Sequence, residues 1–257
     1  MNYTIEELQA NYEKFLSYID RYVTGERKDL LKKLYVDHTE RIMLMPAASV
    51  DHHHNTFPGG YVDHVNRVVE AALKVTKLWD NIGATINFTT EELVFSAINH
   101  DLGKLGRDGQ PAYLPNDSEW HVKNQGAIYK PNTELPFIPI QDSSLFILQQ
   151  AGIELTFNEW VAVKTHDGLY DDGNKAYLLS SQNESKLRCS LPLILHQADI
   201  LAARVEWEKE WLDKVGSPIK KEMKASTPTQ FKQKAESAKL ANVAKGNPGL
   251  LNALKGL

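Results

Sequence analysis

The spacing of apolar residues predicts a chain built mainly of helices. From Tyr61 to Trp79, apolar side chains recur with the period of an α-helix that buries one face, and no segment shows the sustained apolar/polar alternation of a half-buried strand. We therefore expect an all-α fold. The apolar positions of this central helix are Val62, Val65, Val68, Val69, Ala72, Val75 and Leu78.

Capping signals predict where several helices begin. The motif Thr-x-x-Glu occurs at Thr4, Thr89 and Thr156. In this motif both side chains accept hydrogen bonds from main-chain N–H groups of the first turn, which would otherwise lack partners. The predicted helices run from Thr4 to about Val23, from Glu26 to about Met45, from Tyr61 to Trp79, from Thr89 to His100-Asp101 with Gly103 as the stop, from Thr156 towards His166, and from Ser190 through Leu212.

Two segments without helical periodicity separate these helices. Residues 47–60 hold three consecutive histidines followed by Pro58-Gly59-Gly60, and residues 106–142 hold five prolines. A long irregular segment inside a compact domain is usually functional, so we expect 106–142 to be an active-site loop region. The predicted organisation is an N-terminal helical segment packed on the core (1–45), a main domain (46–212) and a basic, flexible tail (213–257).

Composition indicates a globular protein with a distinctive C-terminal end. Of 257 residues, 42% are hydrophobic and 24% are charged, which is ordinary globular usage. The single Cys189, the lack of a signal-peptide pattern and the lack of a membrane-spanning apolar run predict a cytoplasmic protein without membrane contacts. From Asp213 onward there are nine lysines, three acids and no arginine, which predicts either a solvated tail or a basic arm that contacts nucleic acid.

Histidines and aspartates on the predicted helices form a candidate metal site. His100 and Asp101 end one buried helix, His64 and His166 lie on two others, and His196 with Asp199 has the i, i+3 spacing of a shared helix face. Imidazole and carboxylate ligands without cysteine suit borderline or hard divalent ions. A single histidine of this kind is often just hydrogen-bonded in the core, but a carboxylate buried without a cation or donor costs several kcal/mol.

These residues resemble the HD-domain metal-dependent phosphohydrolases. The matching strings are GGYVDHVNRVV with His64, NHDLGK with His100 and Asp101, and HQADILAAR with Asp199, in the family's order. The stretch PAASVDHHHNTFPGGYVDHV is also similar to HD domains of bacterial 3′–5′ exoribonucleases and of some relaxase-associated proteins. The resemblance covers about residues 46–212 and implies an HD-domain helical bundle.

The resemblance implies a divalent metal centre, with two ions drawn from Mn, Fe, Co, Ni or Mg. His64, His100, Asp101 and Asp199 would bind the first ion, and Asp101 would bridge to the second. His121 and His166 are the remaining histidines in the interval where the family places further ligands. Asp167 stands where relatives often have the second histidine of a pair. The implied metal ligands are therefore His64, His100, Asp101, His121, His166 and Asp199.

The implied reaction is cleavage of a phosphoester by metal-activated water, on a phosphorylated small molecule, a nucleotide or an oligonucleotide end. Asp101 and Lys104 would be catalytic, with Lys104 contacting phosphate, although a lysine at a helix end also complements the helix dipole. The implied substrate-binding residues are His53, His54, Lys104, Arg107 and Lys123. The alternative is a di-iron HD-type oxygenase acting on a small phosphorylated or polyol substrate, because the same ligands would serve it.

Overall fold

Helices make up most of the fold, which confirms the predicted all-α class. The computed structural model describes residues 3–215, except the side chains of 211 and 213–215, and within that range the only sheet is a pair of short strands. The α-helices in chain order are α1 (Ile5–Tyr22), α2 (Gly25–Asp37), α3 (Thr39–Leu44), α4 (Gly60–Asn81), α5 (Thr90–Asn99), α6 (Glu119–Gln125), α7 (Ile140–Gln150), α8 (Phe157–Thr165), α9 (Lys175–Leu178) and α10 (Leu191–Val215).

The three predicted capping boxes are confirmed. Thr4, Thr89 and Thr156 each accept a hydrogen bond from the main-chain N–H of the glutamate three residues later, and each glutamate side chain accepts one from the threonine N–H. A cap of this kind stabilises a helix start by about 0.5–2 kcal/mol. The boxes therefore fix the starts of α1, α5 and α8, the last two of which lead into the candidate site.

The core lies around α4 and α5. Every residue of α5 from Glu92 to Asn99 is buried, as expected of a helix surrounded by other elements. Helix α1 packs on both helices, and α8 packs on α5. Helix α10 turns a single face inward, because its buried positions repeat every three or four residues: Leu191, Ile194, Leu195, Ala198, Ala202 and Glu206.

The single helix predicted from Glu26 to Met45 is wrong, because the chain breaks at His38 into α2 and α3. The hydroxyl of Tyr12, on α1, donates to the main-chain oxygen of Tyr35 at 2.9 Å. In a continuous helix that oxygen would accept from Thr39 N, four residues on. The break therefore comes from a neighbouring helix, which local sequence patterns do not record.

The segment 106–142 is less irregular than predicted. Its strands β1 (Tyr113–Pro115) and β2 (Tyr129–Pro131) pair antiparallel, with Tyr113 opposite Pro131, and α6 lies between them. Helix α7 begins at Ile140, inside the segment, and has no side-chain cap that would announce it. The strands escaped prediction because each has three residues and ends in proline, which is too short for an alternation to show.

The N-terminal helices share the core of the main domain. Phe15 and Ile19 of α1 and Leu31 of α2 are fully buried in the same apolar cluster as α4 and α5, and residues 3–210 belong to one compact unit. The predicted basic tail lies outside the described residues, apart from the end of α10. Among the helices of residues 3–215, none combines the length and apolar character needed to cross a bilayer.

Candidate metal centre

Five side chains from four helices converge on one buried point. His64 comes from α4, His100 and Asp101 follow the end of α5, His166 follows the end of α8, and Asp199 comes from α10. The Nε2 atom of His64 lies 3.1 Å from Asp199 Oδ1, that of His100 lies 3.5 Å from Asp101 Oδ2, and that of His166 lies 3.7 Å from Asp101 Oδ1. Ligands placed about 2.0–2.2 Å from a shared ion lie at about such separations.

The other ring nitrogen of each histidine is occupied, which turns Nε2 towards the centre. The Nδ1–H groups of His100 and His166 donate to main-chain oxygens three residues earlier, at 2.9 and 2.8 Å, and that of His64 donates to Glu206 Oε2 at 3.0 Å. The Nε2 atom of His100 is buried without a hydrogen bond, and that of His64 faces Asp199 Oδ1 at 3.1 Å. Buried polar atoms without partners are uncommon, so a metal ion that accepts these lone pairs fits the site.

Glu206 is the functional residue that the sequence did not reveal. It is 1% exposed, and its second oxygen accepts from Arg67 Nε at 2.9 Å. Arg67 in turn donates to Asp63 Oδ2 at 3.0 Å. Metal-binding histidines usually donate their other N–H to a carboxylate in this way. The available signal was spacing, because Glu206 lies seven residues after Asp199 and hence on the same face of α10.

The carboxylates of the centre are ionised at neutral pH. Burial raises the pKa of Asp101, but the positive charge of Lys104, followed by those of the histidines, outweighs burial and holds this pKa well below its usual range. The pKa of Asp199 is lowered in the same way, with burial opposed by the neighbouring histidines, His64 first. Two ionised carboxylates give the centre the negative charge that a divalent cation requires.

The histidines differ in their affinity for protons. Burial lowers the pKa of each, but the carboxylates of Glu206 and Asp199 raise that of His64 to about 10, and those of Asp101 and Asp167 raise that of His166 to about 9. For His100 burial prevails and its pKa falls to about 4. A metal ion therefore finds His100 ready to bind but competes with protons at the other two.

Lys104 is part of the centre. It lies on the 3₁₀ helix Leu102–Leu105, is 9% exposed, and its Nζ donates to Asp101 Oδ2. Gly103 is required beside it, because a Cβ there would lie 2.1 Å from the main-chain oxygen of Ile140 on α7. This close packing lets Ser144 Oγ accept from Gly103 N at 2.8 Å and donate to His100 O at 2.9 Å. These two hydrogen bonds stabilise the turn that carries His100 and Asp101.

No family model, curated protein or solved structure matches this chain. The site is therefore interpreted from its own residues. The described part of the chain contains three overlapping groups whose ligand atoms face one another closely enough to hold a metal ion: His64, His100 and Asp101; His100, His166 and Asp199; and His54, His64 and Glu206. The structure thus contains a buried cluster of histidine and carboxylate groups that can hold a metal ion.

His54 borders the centre. Its ring centroid lies 4.6 Å from that of His64, its Nε2 is buried without a hydrogen bond, and burial lowers its pKa to about 2. The neighbouring His53 is exposed on the loop. Of the two histidines predicted to bind substrate, His54 is therefore the one that contacts His64, a candidate metal ligand. His54 is uncharged at neutral pH.

Three other predicted site residues are not brought to the cluster. His121 and Lys123 are exposed on α6, and His121 Nδ1 lies 2.6 Å from Ser118 Oγ. His121 belongs to none of the facing ligand groups of residues 3–215. Arg107 donates to the main-chain oxygen of Pro136 at 2.7 Å. These interactions hold the loop region together, so His121 as a ligand, and Lys123 and Arg107 as substrate contacts, gain no support from the geometry.

Two cavities border the centre. One has a volume of about 520 Å³ and is lined by Asp199, Asp167 and His54; we call it the Asp199 cavity. The other has a volume of about 560 Å³ and is lined by Lys104 and Tyr113; we call it the Lys104 cavity. Both volumes are in the range of small-molecule sites. Each cavity therefore has room for a small molecule, beside Asp199 in one case and beside Lys104 in the other.

Proposed function

We propose that this chain is an HD-type metal-dependent phosphohydrolase that cleaves a phosphoester of a nucleotide or of a nucleic-acid end. One observation carries the proposal: three buried imidazoles direct Nε2 at the ionised carboxylates of buried Asp101 and partly buried Asp199, and a buried lysine contacts Asp101. A cluster of this kind is costly to bury unless a cation binds it. The motif order His64, His100-Asp101, Asp199 supports the same family.

The donor set supports a divalent ion such as manganese, iron, cobalt or nickel. Ions of this kind, when bound, act as Lewis acids and activate water. In the family pattern a second histidine follows the position of His166, and here that position is Asp167. Its Oδ1 lies 3.5 Å from His166 Nε2. A carboxylate can bind a metal ion in place of an imidazole. We therefore include Asp167, together with His166, among the residues that would bind a second ion.

Lys104 supplies a fixed positive charge at the entrance to the cluster. It contacts Asp101 and also lines the Lys104 cavity, so its ammonium group can bind a phosphate oxygen of a substrate held there. The charge needs no reorganisation when negative charge develops on the phosphoryl group, which is the condition under which such contacts accelerate reactions most. His54 is uncharged, so it can form one hydrogen bond with the substrate phosphate without adding charge.

The oxygenase alternative has one specific observation in its favour. His64, His100 and Asp101 form a group of two histidines and one carboxylate, the arrangement that binds iron in many oxygenases. The two functions differ in what they require: hydrolysis runs without oxygen and with redox-inactive ions, whereas an oxygenase requires iron and O₂.

The decisive experiment combines metal analysis with phosphate release under anaerobic conditions. Purified protein reconstituted with Mn²⁺ is incubated with mononucleotides, cyclic nucleotides with a coupled phosphatase, and short RNA and DNA. We expect release of phosphate by the wild type and by Asp80→Asn, an exposed control on α4, and loss of both metal and activity in Asp101→Asn. Turnover that appears only with iron and O₂ would refute hydrolysis.

A further inference from the structure

The Asp199 cavity has aromatic side chains on two of its walls. Trp207 lies on α10, two turns beyond Asp199, and Tyr170 lies on the 3₁₀ helix Gly168–Tyr170. Eight residues of α-helix span about 12 Å, so Trp207 is removed from the metal ligands by roughly the length of a sugar and its attached ring. A substrate whose phosphate reaches the cluster thus extends towards these aromatic rings.

Tyr170 is placed for contact with a ligand. Its side chain is 85% exposed, although its backbone is anchored next to the centre. The anchor is Gly168, at φ 59°, where a Cβ would lie 2.2 Å from the His196 ring. This contact holds the 3₁₀ helix against α10. At the mouth of the cavity this exposed ring offers a flat apolar face to a ligand.

Trp207 is also held in a defined orientation. The guanidinium carbon of Arg204 lies 4.6 Å from the centroid of the indole ring, and Arg204 Nε donates to Glu208 at 2.8 Å. The arginine therefore lies over one face of the indole, and its charge is paired with that of Glu208. Aromatic faces beside a cation are the combination that binds nucleobases without strong sequence preference.

The Lys104 cavity also has aromatic and cationic side chains, Tyr113, Tyr129 and Lys104, but no tryptophan lines it. Asp37 and Glu40 line it, and its arginine, Arg41, directs its guanidinium to the main-chain oxygens of Leu105 and Gly109. Prolines form much of the remaining wall. The two cavities therefore differ in other ways: a tryptophan and Asp199 of the cluster line the Asp199 cavity, whereas none of the five converging side chains lines the Lys104 cavity.

We infer that the Asp199 cavity is a nucleobase subsite, in which the base of a nucleoside phosphate stacks on Trp207 and Tyr170 while its phosphate lies at the metal cluster. The inference rests on the proposed function for the position of the phosphate. It predicts that nucleoside phosphates are preferred over phosphorylated sugars that lack a base.

The test compares adenosine 5′-monophosphate with ribose 5-phosphate, which lacks the base. Stacking on an aromatic side chain contributes about 1–3 kcal/mol per base, or about 5- to 150-fold. Trp207→Leu should therefore lower kcat/KM for the nucleotide by about this factor and leave that for ribose 5-phosphate unchanged. Trp207→Phe should retain most of the preference, and Tyr170→Ala should lose part of it. The control is Trp120→Leu, an exposed residue of α6 that lines neither cavity and should not alter the preference.

Equilibrium dialysis of both compounds with the Mn²⁺-loaded protein separates this inference from the proposed function. If neither compound is hydrolysed but nucleotide binding falls selectively in Trp207→Leu, the subsite is supported and the hydrolase is not. If both compounds are hydrolysed or bound and the Trp207 and Tyr170 variants leave their ratio unchanged, the subsite is wrong. A wild type that binds the nucleotide no better than ribose 5-phosphate overturns it as well. Should Trp207→Leu fail to fold, Trp207→Phe and Tyr170→Ala decide the matter.

Discussion

Substitution of Glu206 by glutamine tests whether a residue outside the ligand set controls the metal centre. The wild-type carboxylate accepts two hydrogen bonds, from His64 Nδ1 at 3.0 Å and from Arg67 Nε at 2.9 Å. A glutamine has the same shape but one oxygen, so it can accept only one of the two. Its NH₂ group then faces an N–H donor, either of the imidazole or of the guanidinium, inside a region that is 1% exposed.

The expected effect follows from what the carboxylate does for His64. It orients the ring, holds the proton on Nδ1 and makes Nε2 a better donor to metal. Loss of such a partner typically costs about 10- to 100-fold in metal affinity, or about 1.4–2.7 kcal/mol. A buried donor left without an acceptor should lower the free energy of unfolding by a further amount of about 1–3 kcal/mol. Glu206→Gln should therefore weaken both metal binding and stability.

The assay is competition for Mn²⁺ or Co²⁺ with a chelating dye, accompanied by urea denaturation of the metal-free protein. Glu208→Gln is the matched control, because Glu208 is on the same helix but pairs with Arg204 at the surface. A folded Glu206→Gln protein whose metal Kd stays within twofold of the wild type would refute the idea that Glu206 acts through His64.

Three further changes have defined outcomes. Lys104→Ala should lower kcat by about 10²–10³ without weakening metal binding, because the ammonium group is not a metal ligand. The control Lys77→Ala, at an exposed position, should change neither kcat nor metal binding, and loss of metal in Lys104→Ala would count against a role in phosphate contact alone. Protons on His64 (pKa about 10) and His166 (pKa about 9) must leave when metal binds. The Kd for the metal ion should therefore fall about tenfold per displaced proton for each pH unit between about pH 6 and 8. A Kd measured by calorimetry that does not change with pH would contradict this. Thr156→Ala should destabilise the fold by about 1 kcal/mol in urea denaturation, and no change would mean the cap is dispensable.

Local patterns predicted the elements whose causes are local. The capping boxes at Thr4, Thr89 and Thr156 and the apolar stripe of α4 depend on residues at most four positions apart, so they are legible in the sequence and present in the structure. The positions of three candidate ligands relative to the helix ends are legible in the same way. His100-Asp101 and His166 follow helices whose starts the boxes mark, and this places them at one end of the bundle.

Features with long-range causes could not be predicted in this way. The break at His38 depends on a hydroxyl from α1, since Tyr12 occupies the oxygen of Tyr35. Glu206 acquires its role only because α10 packs beside α4, 142 positions away in sequence from its partner His64. His121 is the converse case: the family resemblance implied a ligand in its interval, and the short helix α6 carries it on the surface, so its role as a ligand stays a prediction without geometric support.

Two of the candidate ligands also show why the site and the fold are specified together. His100 and His166 occupy the C-cap positions of α5 and α8, where main-chain oxygens of the last turn lack helical partners. Each imidazole donates Nδ1–H to one of those oxygens, three residues earlier. A single hydrogen bond thus completes the helix end and fixes the tautomer that presents Nε2 to the centre. A leucine at either position would lose both the hydrogen bond at the helix end and the nitrogen that faces the centre. We therefore expect these histidines to stabilise the helix ends as well as to take part in the candidate site.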